Sequence, residues 1–387
     1  MSLNSGGSES AVFLNGERLS AFSREIFPDL ARADQRRWAN VYLRGILSAS
    51  GKKTIRNIAG PHSSLSDVQS LRQFINQSTW SWESVARRCT PVVSSRLPPE
   101  LWVLDSVFIR KRGDASVGAG RWFVRRSGRT MNGQMGVALF LSSQRSSVPV
   151  DWRILLRGRW MVDRELRKGA GVPEEYRLEH GWEAGVDLLD AAIRRGGPPR
   201  RPVVADCTGW PRAECLIREL AKRDIEFLVC VDASALPEEG QIATTPGRVT
   251  SSVVQLADRG TAHSAIRVVT QQPIQRDDPA RHWVTNIDPW DLRVLGLALP
   301  VLRRHGQDVE RLVSDFGVHD FGGRSFGGWH RHLALVSAAF AFSALEKPEP
   351  PTAHRGAEHR GHLARSERRT LPAPRVPDAV AVPQGHR

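Results

Sequence analysis

The sequence predicts an α/β protein: a mixed sheet flanked by helices and interrupted by a β-rich insertion, preceded by a small all-helical domain. Three observations carry this. Up to about Thr90 apolar residues recur at three- and four-residue spacing, the period of a helix. From Leu101 onward the runs become short and apolar or alternating, separated by glycine-containing turns, which is the pattern of strands. Strand and helix patterns then alternate, as they do when helices pack on a sheet.

Taken in order, residues 1–10 are Ser/Gly-rich and read as a disordered N-terminus. Segment 11–95 reads as a helical, DNA-contacting domain, with helical spacing in Arg37–Leu47, breakers at Gly51 and Gly60-Pro61, and further helices at Ser66–Ile75 and Trp80–Val85. Trp38, Trp80 and Trp82 read as core aromatics of that bundle rather than base-stacking groups. The first part of the sheet domain spans 96–234. It holds hairpin-joined strands at Trp102–Ile109, Arg121–Arg126 and Gly133–Leu141, an amphipathic helix at Trp182–Arg195, a buried strand at Pro202–Asp206, a helix at Pro211–Arg223 and a strand at Glu226–Val231. Residues 235–287, with alternating runs at Ala265–Val269 and His282–Asn286, read as the β-rich insertion. Segment 288–346 returns to helix, from Pro289–Leu292 towards Phe316 and then Trp329–Leu345, which is apolar enough to be buried. The Pro/Arg/His-rich tail 347–387 reads as disordered.

Composition narrows the function. The chain carries 55 Lys and Arg against 41 Asp and Glu, a formal charge of +14 that favours nucleic acid or another anionic surface as partner. Residues 1–94 hold 12 Lys/Arg against 7 Asp/Glu, and residues 105–130 hold 7 against 2. Arg110, Lys111, Arg112, Arg121, Arg125 and Arg126 in the second stretch are candidates for phosphate contacts. Four scattered cysteines with no C-x-x-C pair read as reduced core thiols, which argues against a zinc site or a disulfide framework. The start lacks a secretory pattern and no apolar run approaches the roughly 20 residues of a membrane helix, so the expectation is a cytoplasmic protein without a membrane partner.

Two acids stand out. Asp105 lies in the apolar run Leu101–Ile109, and Asp206 repeats the arrangement in Pro202–Gly209. Burying an ionised carboxylate without a partner costs several kcal/mol, so two such sites suggest a cation. Taken singly, each aspartate is equally well read as a strand-end turn former. Two-metal phosphoryl chemistry needs carboxylates that clamp divalent ions about 4 Å apart, and neighbouring strand ends can supply two of them.

The blocks around these acids resemble those of a known family. Leu104-Asp105-Ser106-Val107-Phe108-Ile109-Arg110-Lys111-Arg112-Gly113 is similar to the first-acid block of bacterial DDE transposases of the IS4 superfamily, the IS701 group above all. Asn132–Val137, Val150–Leu156, the second-acid block Ala205–Gly209 and the late block Phe321–His332 agree in order, so the resemblance spans roughly Trp38 to Leu345. It implies an RNase H-like core with the insertion ahead of the helix that bears the third acid. It further implies Mg²⁺ (or Mn²⁺) as working ion, and double-stranded DNA, both element ends and target, as partner. Such enzymes cut at the ends of an insertion sequence and join the freed 3′-hydroxyls to target DNA, and synapsis of two ends calls for a homodimer on DNA. Asp105 and Asp206 would be catalytic metal ligands. The chain departs from the family at the third acid: the glutamate position falls at Gly306 and the downstream lysine position at Val313. Glu310, one turn further on, is the candidate replacement, with Asp308 pointing elsewhere. Two readings stay open: an active enzyme with Glu310 as third ligand, or an inactive copy that binds DNA without cutting it. Of the remaining features, His330 and His332 read as packing or DNA-backbone residues, and the glycines of 317–328 as a flexible connection.

Overall fold

A computed structural model describes residues 6–124, 127–236, 249–254, 266–271, 280–287 and 292–347, and the account below concerns these. Arg125, Arg126, the Pro289–Asp291 helix start, residues 1–5 and the tail 348–387 lie outside them.

The chain opens with α1 (Gly6–Ile26), α2 (Ala33–Ser48), α3 (Ile55–Ala59), α4 (Leu65–Asn76) and α5 (Trp82–Arg96). Three of these helices start where a hydroxyl caps an otherwise unpaired backbone N–H: Thr54 accepts from Asn57, Ser64 from Asp67 and Ser81 from Glu83. Such a cap contributes about 1 kcal/mol. Trp80 stacks on Phe74 with centroids 5.1 Å apart and donates its indole N–H to the Phe74 carbonyl at 3.1 Å, so it is a core aromatic with a satisfied polar end.

The sheet region follows with β1 (Leu101–Arg110), β2 (Gly120–Val124), β3 (Arg129–Ser142) and β4 (Ser147–Ile154). Next come α6 (Arg159–Val162), α7 (Arg164–Ala170), α8 (Gly181–Arg194), β5 (Val203–Asp206), α9 (Ala213–Lys222) and β6 (Phe227–Val231). Then come β7 (Val249–Val254), β8 (Ile266–Gln271), β9 (Arg281–Thr285), α10 (Leu292–Ser314) and α11 (Phe326–Leu345). Strand β3 pairs antiparallel with β1 on one side and with both β2 and β4 on the other, while β1, β5 and β6 run parallel. This is an RNase H-like mixed sheet with flanking helices. Strands β9, β8 and β7 continue it antiparallel beyond β6.

Strand β4 is an element that sequence periodicity does not reveal. All eight of its residues are buried, so the apolar–polar alternation of a half-exposed strand is missing. Its charges have an internal explanation: buried Asp151 pairs with Arg153 at 3.1 Å and Arg195 at 2.5 Å, and Arg153 pairs with Asp187 at 2.6 Å. Burial pushes the Asp151 carboxyl upward, but the two guanidinium groups outweigh it and hold it below the usual range.

Helix α11 is buried nearly all round, as a helix apolar on every face must be. It packs on β4 and on α1, α2, α4 and α5, so the N-terminal helices and the sheet share one core. Its polar groups join the two. The His332 ring lies 2.8 Å from the Tyr42 hydroxyl and 2.9 Å from the Gly317 carbonyl, while Arg331 donates to the carbonyls of Trp80 and Ile75, each at 3.0 Å. His330 is stacked on Trp82 at 4.6 Å. Both histidines therefore serve packing and neither reaches a DNA backbone. All four cysteines are free and buried. Among the described residues no helix is long and apolar enough to cross a membrane.

Candidate active site

In the parallel pair β1–β5, Leu104 stands beside Ala205, and one residue further Asp105 and Asp206 follow side by side. Neighbouring strands lie about 4.8 Å apart. The two carboxylates are partly open to solvent, with side-chain exposures of 30% and 38%. Beneath them Cys207 is buried. Its thiol is pushed well above the ordinary range by burial first, then by Asp206, Cys230 and Asp105, so the fields of both aspartates converge there.

Each aspartate has partners from the protein. One Asp105 oxygen accepts from the Ser106 N–H at 2.7 Å, and the other lies 3.1 Å from Nε2 of His305 on α10. The buried His305 ring sits edge-on against Phe140 at 4.6 Å, with Nδ1 2.8 Å from the Ser147 hydroxyl. With its proton on Nε2 the ring donates to Asp105 and accepts from Ser147. Asp206 accepts from the Thr208 N–H at 3.1 Å and from the Thr208 hydroxyl, which is the side-chain turn of a strand-end Asp. Its second oxygen meets Nη2 of Arg281 on β9 at 2.8 Å.

The seat of α10 is fixed by Asp308. Its carboxylate is fully buried and accepts from the Ser147 N–H at 2.9 Å and the Ser146 hydroxyl at 3.1 Å. Arg304 at 3.1 Å, Arg311 at 3.2 Å and Lys347 at 3.6 Å surround it. Asp308 thus belongs to the anchor of the helix on the β3–β4 turn, and that anchor turns His305 towards Asp105. Five residues at 100° each place Glu310 about 140° around the helix from His305, on the exposed side that also carries Gly306. Among the described residues no three His, Cys, Asp or Glu side chains converge as a metal cage, so this arrangement does not bring Glu310 to the two aspartates.

The basic candidates divide. Arg110, Arg112 and Arg121 are exposed on the β1–β2 extension beyond the aspartates. Lys111 is committed instead: its ammonium donates to the Phe321 carbonyl at 2.8 Å, and burial lowers its pKa. The glycine segment it meets is pinned rather than loose. Lys53 N–H donates to Asp320 at 2.7 Å and Val117 N–H to the Arg324 carbonyl at 3.0 Å. Sequence reasoning missed His305 and Arg281. The first is adjacent to Gly306 and was legible only as a neighbour, and the second is an ordinary arginine until the sheet brings β9 beside β6.

The donor chemistry can be tested against the implied ion. Mg²⁺ favours charged oxygens and keeps several waters, commonly taking one or two carboxylates from the protein. Asp105 and Asp206, adjacent and partly exposed, fit such an ion. The helix α10 adds an imidazole to them, not a carboxylate.

This class of fold and paired acids agrees with the family comparison. The model of the DDE superfamily endonucleases matches residues 25–274, well over half of the chain, and the chain belongs to that family. The matched span holds both aspartates and ends before α10. No curated protein matches the sequence.

Proposed function

We propose that the protein is the transposase of a bacterial insertion sequence, cutting double-stranded DNA at element ends and transferring the freed strands, working as a homodimer. The observation that supports it most is the placement of Asp105 and Asp206 side by side on parallel strands of an RNase H-like sheet in a DDE endonuclease chain. Asp105 and Asp206 would hold the divalent ion, Mg²⁺ or Mn²⁺, whose contribution when bound is Lewis-acid polarisation of the phosphodiester. His305 orients the Asp105 carboxylate, and Thr208 orients that of Asp206. Exposed Arg110, Arg112 and Arg121, with Arg125 and Arg126, would neutralise phosphates along the same duplex. Glu310 enters as third ligand only through a rotation of α10 that turns its exposed side to the aspartates.

A second reading is supported by that same helix: with Gly306 at the family's glutamate position, the chain binds end DNA and does not cut it. The test is Mg²⁺-dependent cleavage of the element's own end by the full chain, beside Asp105→Asn. The amide keeps shape but loses the charged oxygen a hard cation prefers. Wild-type cleavage that disappears in Asp105→Asn, with DNA affinity retained, supports the enzyme. Binding without cleavage in both supports the inactive copy, and cleavage surviving in the variant refutes the role of Asp105.

A further inference from the structure

Strand β9 runs antiparallel to β6 and begins at Arg281, one step beyond the Val231–His282 pair, so its first residue stands at the end of the sheet where β5 finishes with Asp206. Residues opposite one another in a strand pair project from the same face of a sheet. Asp105 follows beside Asp206, Asp206 stands opposite Cys230, and two residues further along β6 Asp232 comes level with Arg281. Both acids of the site and Arg281 therefore project from one face, in a row across β1, β5, β6 and β9.

The Arg281 guanidinium reaches past β6, about 10 Å over two strand spacings, to place Nη2 2.8 Å from the Asp206 carboxylate. Its carbon lies 5.6 Å from the centroid of the buried Trp283 ring, and its remaining N–H groups donate to no other described residue. Of the two groups paired with the aspartates, His305 is buried and also held by Ser147, whereas Arg281 is 51% exposed. An ion pair so open to water is weak, a preference of about 1.4- to 5-fold. The planar fork of arginine matches phosphate as well as carboxylate, two N–H groups at a time. A guanidinium that offers one N–H to one carboxylate oxygen, with its other donors unused, is free to be taken by a second anion.

We propose that Arg281 is a phosphate-binding residue of the site: it exchanges Asp206 for a phosphodiester oxygen of the strand to be cut, and this exchange opens Asp206 to its ion when DNA is present. A phosphodiester that reaches the aspartates comes beside Asp206 against the charge of both acids, and Arg281 is the exposed cation within hydrogen-bond distance of that place. A fixed counter-ion is the lesser reading, because a permanent partner is typically bidentate or withdrawn from water and this one is neither. Without DNA Arg281 stays on Asp206. With DNA it turns to the phosphate, so the metal-binding acids are completed only around substrate.

The inference rests on the chain acting on DNA through Asp105 and Asp206, and the experiment separates the two. Fluorescence anisotropy in EDTA, which stops metal-dependent cutting, measures the full-length chain on a duplex of the element's own end over a range of salt. Wild type, Arg281→Ala, Asp206→Asn and the double variant form a cycle. Asp206→Asn removes the carboxylate that competes for the guanidinium. In that background Arg281→Ala should lower the salt slope by about one and cost about 1.4- to 5-fold more affinity than it costs in the wild-type background. A charge that acts only at a distance costs the same in both backgrounds, as Arg87→Ala on α5 should show. Arg281→Gln, which keeps the length of the side chain, repeats the cycle, with circular dichroism to show each variant folded. An equal cost in the two backgrounds, or an unchanged salt slope, would overturn the role of Arg281. A larger cost in the wild-type background would overturn the exchange as well, since Arg281 would then bridge Asp206 and phosphate together. No DNA binding by wild type would instead overturn the DNA-acting reading itself.

Discussion

Replacing Arg281 with alanine should tighten divalent-cation binding, because the guanidinium sits where a second cation would have to come. Its Nη2 lies 2.8 Å from Asp206, whose other oxygen is taken by Thr208. The pair is open to water, with side-chain exposures of 51% for Arg281 and 38% for Asp206, so its strength is that of a surface ion pair, about 0.2–1 kcal/mol. An ion that binds Asp206 must first give up that energy. Removing the competitor therefore lowers the dissociation constant about 1.4- to 5-fold, at 1.4 kcal/mol per tenfold. Isothermal titration of Mn²⁺ into DNA-free protein at low ionic strength measures this directly, with Asp206→Asn as the variant that loses the site. Arg281→Lys keeps the charge and should fall between wild type and alanine. An Arg281→Ala affinity equal to or weaker than wild type, with Asp206→Asn still binding, would refute the assignment of the site to these aspartates.

Three further outcomes follow from the geometry. Burial holds His330 at about 3 and His332 at about 4, below the ordinary 6.5, so the unfolded chain binds more protons than the folded one between those values and 6.5. Their contribution to stability is complete above about pH 6.5 and is lost as pH falls, by about 2 kcal/mol per histidine at pH 5, and a urea midpoint unchanged between pH 7 and pH 5 would show that they are not held neutral. Asp308→Ala leaves the buried Ser147 N–H and Ser146 hydroxyl without their acceptor and should cost about 1–3 kcal/mol in urea unfolding, whereas a loss under about 0.5 kcal/mol would mean that α10 is anchored elsewhere. Gly306→Glu, where an added Cβ meets nothing within 4 Å, should stabilise the helix by about 0.5–1 kcal/mol and tighten Mn²⁺ binding on the order of tenfold. Unchanged Mn²⁺ affinity with raised stability would place position 306 outside the site.

How much of this was legible in the sequence depended on whether a residue's surroundings were local. Strands β1, β5 and β6 were visible because each is a short apolar run closed by a turn residue, and the two aspartates were visible as acids breaking such runs. Strand β4 was not, because burial on both faces erases its alternation and because Asp151 and Arg153 look like surface charges until Arg195 and Asp187 are placed beside them. The pairing of Asp105 with Asp206 needed only that β1 and β5 be neighbours. The roles of His305 and Arg281 needed the long-range seating of α10 and β9, which no spacing rule encodes. The glycine segment 317–328 read as loose for the same reason: the Lys53, Lys111 and Val117 groups that pin it come from distant parts of the chain.

The fate of the third ligand reduces to the rotation of a single helix. Buried Asp308 and His305 lie 60° apart on α10 and both face the sheet, one bonded to Ser147 N–H and the other to Ser147 Oγ and Asp105. Turning Glu310 inward by the 140° that separates it from His305 would pull the Asp308 carboxylate away from two serines and a lysine, while Arg304 and Arg311 turn with it on the same helix. Losing the hydrogen bonds that a buried carboxylate accepts from Ser147 N–H and the Ser146 hydroxyl costs about 1.5–3 kcal/mol each, which opposes such a turn. Position 306 lies on that same exposed side but about 100° rather than 140° from His305, so a carboxylate there needs the smaller turn. The chain's own residues therefore favour Gly306 over Glu310 as the place where a third carboxylate would matter, and they make Gly306→Glu a sharper test of whether this copy cuts DNA than Glu310→Gln.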